Sequence, residues 1–323
     1  MRYNLTLSLV ACAITLAGSC SSEPTSEPLL PGFEALQNTA KPWPEPAAAT
    51  TTATAKKPVV VAPLNDGQLS INQIISECDR QIYSWNIAMS QSRSEDNQQV
   101  VSIAANAIGL FVTRYREQIE NEAISGEDRF RGIASAALGF SGDESVLPIL
   151  LNNLSSDNST VCAKSLLGLG ILSSSNTAIA PIADAIAQHS DDEEVISNAA
   201  FCLFQISFTD SQDTNGAMSS VLLSIINHSS ATVRSQSILS LGLIGANHCL
   251  GEITDALAGD QSPDVRVAAA WSLGRIGSKN STRALVAALS DPDTIAAGTA
   301  RASLARIHGR DLGPDPESWI PED

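Results

Sequence analysis

The chain has 323 residues, 43% of them hydrophobic and 17% charged, with aromatics at only 4%. That is enough for one large or two ordinary domains, and a core so poor in Phe, Tyr and Trp points to stacked helices packed through Ala, Leu, Ile and Val. Nineteen Lys and Arg against 35 Asp and Glu leave a net charge of −16; such a surface repels phosphate backbones, which argues against nucleic acid as a partner, and it keeps an extended molecule soluble.

The first 19 residues read as an export signal. Arg2 supplies the positive start, residues 5–17 form an apolar run, and Gly18-Ser19-Cys20 follows. The run is shorter than the roughly 20 apolar residues a spanning helix needs. Its end resembles a bacterial lipoprotein signal, which implies a lipid on Cys20 and, with Ser21 next, placement on the periplasmic side of the outer membrane. The register departs from the usual pattern, because Leu16 stands four residues before the cysteine and Ala17 three. Ordinary cleavage after Ser19, giving a secreted soluble protein, fits the same small residues.

Residues 20–64 are rich in Pro, Ser, Thr, Glu and Ala. Such a segment buries too little apolar surface to offset chain entropy and is expected to be a disordered tether. It would span on the order of 35 Å as a coil and about 130 Å in polyproline II form.

Residues 65–126 are expected to form an N-terminal helical cap. Within it, Val100, Ala104 and Ile108 hint at one degenerate repeat, preceded by a helix over residues 71–90.

From about residue 127 the chain repeats itself. An apolar residue (Phe130, Val161, Val195, Val233, Val265, Ala296) is followed four positions on by a small one (Ala134, Ser165, Ala199, Ser237, Ala269, Ala300). Eight positions on stands Leu138, Leu169, Leu203, Leu241, Leu273 or Leu304, at steps of 31, 34, 38, 32 and 31 residues. Offsets 0, 4 and 8 lie on one helical face, and the small residue there lets a neighbouring helix approach. Gly139, Gly142, Gly170, Gly242, Gly245, Gly274 and Gly277 are expected to end these helices. A second amphipathic helix follows each first one, over residues 146–154, 179–186, 218–226, 250–257 and 282–289. One such pair cannot bury its apolar face alone, whereas a stack can.

The runs 231–245 and 263–277, with Val233-Arg234 and Val265-Arg266 near their starts, resemble bacterial HEAT repeats of the short type named after phycobilisome lyases. The resemblance covers residues 127–310 and implies an all-α solenoid of HEAT-type helix–turn–helix units. Residues 311–323 are similar to the tail of bacterial HEAT-repeat lipoproteins, and Trp319 there is placed to fold back as a cap on the last pair.

Some proteins of this repeat class are enzymes. Deoxyhypusine hydroxylase resembles this chain in fold and implies His-Glu pairs that hold two irons. The four histidines here are followed by Ser190, Ser229, Cys249 and Gly309, so that ligand set is missing. A bilin site would want aromatic walls, and the chain has three Tyr and seven Phe. Cys78, Cys162, Cys202 and Cys249 form no C-x-x-C pair and read as buried free thiols. Residues 191–194 are an acidic run that suits a helix start better than Ca²⁺, which needs alternating oxygen ligands. No catalytic residue, metal or cofactor is expected.

The expected function is a non-catalytic envelope scaffold or adaptor that binds a protein through the solenoid and the membrane through its lipid. The alternatives are an accessory enzyme, bilin-lyase-like or oxidoreductase-like, and a purely structural lipoprotein. Second helices line the concave side in HEAT-type arrays, which makes Asn152, Asp184, Ser224, Glu252, Asp255 and Arg283 the candidate partner strip; a plain solvated face fits them equally. Residues 207–217 lengthen one unit as a loop that could carry contacts.

Overall fold

The computed structural model describes residues 69–90, 95–209, 213 and 215–319. The export signal, Cys20 and the tether lie outside the described residues. The described elements are α1 (Ile71–Ser90), α2 (Glu95–Arg114), α3 (Arg116–Ser125), α4 (Asp128–Leu138), α5 (Leu147–Asn153), α6 (Ser159–Leu172), α7 (Ile179–Gln188), α8 (Glu193–Thr209), α9 (Ala217–Ile225), α10 (Ala231–Leu243), α11 (Leu250–Gly259), α12 (Pro263–Ile276), α13 (Thr282–Ala288) and α14 (Thr294–His308), with short 3₁₀ turns between some of them. The protein is an all-α solenoid of helix–turn–helix units. Among the described residues, no helix is long and apolar enough to cross a membrane.

The repeat pattern explains the packing. All six leucines at offset 8 and all six small residues at offset 4 are fully buried. Each such leucine contributes about 1.5–3 kcal/mol by leaving water. Ser165 and Ser237 stand in for alanine at little cost, because each hydroxyl donates to a carbonyl of its own helix, Val161 O and Val233 O, at 2.8 Å.

Glycines divide into two groups, which corrects the expectation that all of them are caps. Gly142, Gly245 and Gly277 have φ of 64°, 65° and 75° and do reverse the chain in left-handed geometry. Gly139, Gly170, Gly242 and Gly274 do not. Gly139 is right-handed at φ −56°, and the other three lie inside α6, α10 and α12. Their role is close approach. A Cβ on Gly139 would stand 2.4 Å from Gly168 O, one on Gly242 2.7 Å from Ser272 Cβ, and one on Gly274 2.5 Å from Ser303 Cβ. Helix α6 ends instead on Ser173 at φ 49°.

Helices α4, α6, α8, α10, α12 and α14 thus form a row whose backbones nearly touch. Hydrogen bonds cross it: Ser272 Oγ donates to Ile238 O (2.9 Å), Ser303 Oγ to Ala270 O (2.8 Å) and Asn198 Nδ2 to Ala163 O (2.9 Å). Helices α3, α5, α7, α9, α11 and α13 form a second row whose members meet at few points. The first helices are therefore the more closely packed of the two rows.

At the N-terminal end α1 lies along α4, while α2 covers α1 and the turn Gly139–Ser141. Trp85 meets Phe140 edge-on, with centroids 5.2 Å apart. Because α2 sits over this end rather than in the row, its buried face is Val101, Ile108, Phe111 and Val112, followed by buried Tyr115 just beyond its end. Of the expected trio only Ile108 is fully buried, and Val100 is 51% exposed. At the C-terminal end Trp319 is buried, donates Nε1–H to Gly313 O at 2.9 Å and lies 5.9 Å from the His308 ring. It joins the hydrophobic core, and its turn contacts α13. In the longer unit, Ser207–Thr209 continue α8 instead of starting a loop, and Asp213 caps α9 by accepting from Met218 N and Ser219 N.

Candidate partner-binding surfaces

The two rows present different surfaces, and each follows from the helical register. On the second row, Asn152 (α5), Asp184 (α7), Ser224 (α9), Glu252 and Asp255 (α11) and Arg283 (α13) are all exposed. They occupy one row, but it is the loosely packed one. Arg283 borders an open cleft of about 600 Å³ between α11 and α13, whose lining mixes apolar residues such as Leu257, Ala284 and Pro292 with the polar Thr254, Asn280 and Asp291.

On the first row each helix is hemmed in on both sides. Offset −1 is exposed or half-buried on α6, α8, α10 and α12, and offsets 6 and 10 are so on α10 and α12. At offset 6 stand Leu167, Phe201, Leu239 and Trp271 on four consecutive helices. Leu167 and Phe201 are nearly covered, at 6% and 7%, whereas Leu239 and Trp271 are half-buried. Thr160, Glu194, Thr232 and Asp264 flank this band at the helix starts; Ile171, Gln205, Leu243 and Arg275 flank it at the helix ends. The result is an apolar line along the first row, covered at Leu167 and Phe201 and reaching the surface at Leu239 and Trp271, with Glu194 at its edge paired to Lys164 at 3.1 Å. Sequence reasoning missed it, although large apolar residues recurring at offset 6, off the 0-4-8 face, were the available signal.

Between the rows runs an ion-pair ladder. Arg234 holds Asp260 through two bonds (2.7 and 2.8 Å), and Arg266 holds Asp291 likewise (2.7 and 2.9 Å). Arg266 Nη1 also donates to Asp260 O at 2.9 Å, which joins successive units. Hydrogen bonding from Arg266 holds the Asp291 carboxyl below its ordinary range. These arginines are bound inside the protein and are poor candidates for partner contact.

The remaining polar groups have local duties. His189 Nε2 pairs with Ser156 O, His248 Nε2 with Ser219 Oγ and His308 Nε2 with Thr282 Oγ1, all at 2.9–3.0 Å, and His228 Nδ1 accepts from Ser230 N at 3.1 Å. Ser219, although beside a histidine, is 1% exposed and donates its hydroxyl proton to Gly216 O. Asp192 caps α8, accepting from Glu194 N and Val195 N. Among the described residues no cluster of three or more His, Cys, Asp or Glu is arranged to hold a metal. Cys78, Cys162, Cys202 and Cys249 are buried free thiols; burial raises Cys78 to about 12 and Cys162 and Cys249 to about 11, and pushes Cys202 up as well.

Comparison with known proteins agrees with the repeat. A family model described as HEAT repeats matches residues 219–305. No curated protein matches significantly. Among solved structures, the chain is similar to an archaeal HEAT-like repeats protein from Thermococcus onnurineus NA1, at 16% identity over 75% of this chain and 100% of that one, with a TM-score of 0.47. It is also similar to a designed armadillo repeat protein (17% identity, 59% and 98% coverage, TM-score 0.44). A third likeness is to the CpcE–CpcF complex of phycocyanin lyase from Nostoc sp. PCC7120 (16% identity, 77% and 91% coverage, TM-score 0.35).

Proposed function

We propose that the protein is a non-catalytic scaffold of the cell envelope, anchored by lipid at Cys20, which holds a polypeptide partner along the inside of its solenoid. The observation that carries this reading is the pair Leu239 and Trp271, half-buried at one offset on the adjacent helices α10 and α12 of the tighter row, toward which a stack bends. They offer two neighbouring anchor points to a helix or extended segment that brings apolar residues of its own, while Leu167 and Phe201 continue the line beneath the surface.

A rigid, prepared surface lowers the ordering cost of binding, and the buried backbone contacts of the first row supply that rigidity. A second reading, contact through the outer row, is favoured by the cleft beside Arg283. Asn152, Asp184, Ser224, Glu252 and Asp255 are then the exposed approach to it.

The test is crosslinked affinity capture of the full-length protein from its native envelope, with metal and pigment content measured on the same sample. A stoichiometric protein partner that is lost in Trp271→Lys and Leu239→Glu supports the inner surface. Loss on Arg283→Glu alone transfers the assignment to the outer row. Bound iron or a chromophore without a partner sinks the scaffold reading and reinstates the enzyme alternatives. Cys20→Ser is expected to move the protein from the membrane to the soluble fraction; a wild-type chain found soluble would remove the lipid anchor from the proposal.

A further inference from the structure

Helix α2 carries more apolar surface than its neighbours cover. Beyond its buried face, Val100, Ile103 and Leu110 are 51%, 61% and 74% exposed, and half-buried Ala107 stands among them. At 3.6 residues per turn the positions 96, 100, 103, 107, 110 and 114 fall within one arc of less than a quarter turn. Their spacing of four and three in alternation is that of a helix-pairing seam. A solenoid end is normally capped by a polar face, so this stripe calls for an occupant.

The seam is complementary to itself. When α2 is laid antiparallel on a second α2 about position 105, Val100 faces Leu110, and the larger Ile103 faces the smaller Ala107. A parallel pairing would instead set like residues against each other.

We propose that two copies of this chain associate through α2 in a two-fold, antiparallel helix pair with Val100 opposite Leu110 and Ile103 opposite Ala107. The isologous contact closes on itself, so it yields a dimer and not a filament. One helix face per copy is at the small end of specific interfaces, which places dissociation at about micromolar concentration. The contact lies at the end of the stack, away from the inner apolar line, and does not depend on the scaffold reading.

Light-scattering or sedimentation mass of the full chain is measured over about 1–100 µM. The expected result is a shift toward twice the 33.8 kDa chain mass, abolished by Ile103→Glu or Leu110→Glu with unchanged helix content and melting temperature, because both side chains are exposed in the single copy. Register is tested by mixing a Val100→Cys chain with a Leu110→Cys chain: disulfides should form between the two variants and not within either alone. A monomer at all concentrations, a dimer that survives Ile103→Glu and Leu110→Glu, or Val100→Cys chains crosslinking to one another would each overturn the proposal. A monomer whose stripe is protected from labelling would assign that stripe to another occupant.

Discussion

Arg266 grips both carboxylate oxygens of Asp291, at 2.7 and 2.9 Å, with the two side chains only 13% and 7% exposed. The bond spans one repeat, from the start of α12 to the turn before α14. A bidentate, largely sheltered pair is stronger than a surface ion pair, and removing one member strands the other. Arg266→Ala is expected to lower unfolding free energy by about 2–4 kcal/mol, and Arg266→Lys to recover only part of it, because an ammonium cannot reproduce the fork. Urea midpoints of the two variants check this.

The same pair sets an acid limit. Hydrogen bonding from Arg266 depresses the Asp291 pKa in the folded state. A depressed folded pKa means that the contribution is full above the unfolded value of about 3.9 and is lost as pH falls through the lower, folded value. Wild type should therefore lose more stability between pH 6 and pH 3 than Asp291→Asn does. Equal pH slopes for the two proteins would contradict the assignment.

Two glycines should respond to alanine with opposite signs. Gly274→Ala places a methyl 2.5 Å from Ser303 Cβ and 2.9 Å from its Cα, a backbone-borne clash that no rotamer relieves. The cost expected is about 1–3 kcal/mol or more. Gly298 lies inside α14, the last helix of the row, and a methyl there meets nothing within 4 Å. Gly298→Ala should stabilise by about 0.5–1 kcal/mol through helix propensity and chain entropy. Thermal melts of the two variants decide the matter.

The terminal cap can be tested separately. Trp319→Ala removes a buried indole, its bond to Gly313 O and its contact with His308. A loss of about 3 kcal/mol is expected if the last pair unfolds with the whole. Hydrogen exchange should then speed up first in α13 and α14.

The four buried thiols should be inert in the native protein. With pKa values of about 11–12 at Cys78, Cys162 and Cys249, less than about 1% is thiolate at pH 8. Iodoacetamide should label these positions only after denaturation, as read by peptide mass.

Much of this architecture was legible in the sequence because one physical demand repeats. Leu138 through Leu304 recur wherever a first helix must bury the same spot, and the second helices fall within a few residues of their expected bounds. The finer roles were hidden by ambiguity of residue type. Gly242 and Gly245 look alike on the page, yet one admits a neighbouring helix and the other turns the chain at φ 65°. Val100 fits the repeat spacing and is exposed, because α2 lies across the end of the stack. Periodicity tells which face is buried and not which row packs tighter. A sharper signal went unused: Arg234 precedes Asp260 by 26 residues and Arg266 precedes Asp291 by 25, the mark of a contact between units.

The most direct measurement of the scaffold account compares two sets of full-length variants in one capture experiment. The inner set is Leu239→Glu and Trp271→Lys; the outer set is Asp184→Lys, Glu252→Lys and Asp255→Lys. With circular dichroism matched to wild type, the account predicts that the inner set abolishes partner recovery while the outer set leaves it within about twofold. Full recovery with the inner set, and loss with the outer set, would contradict it.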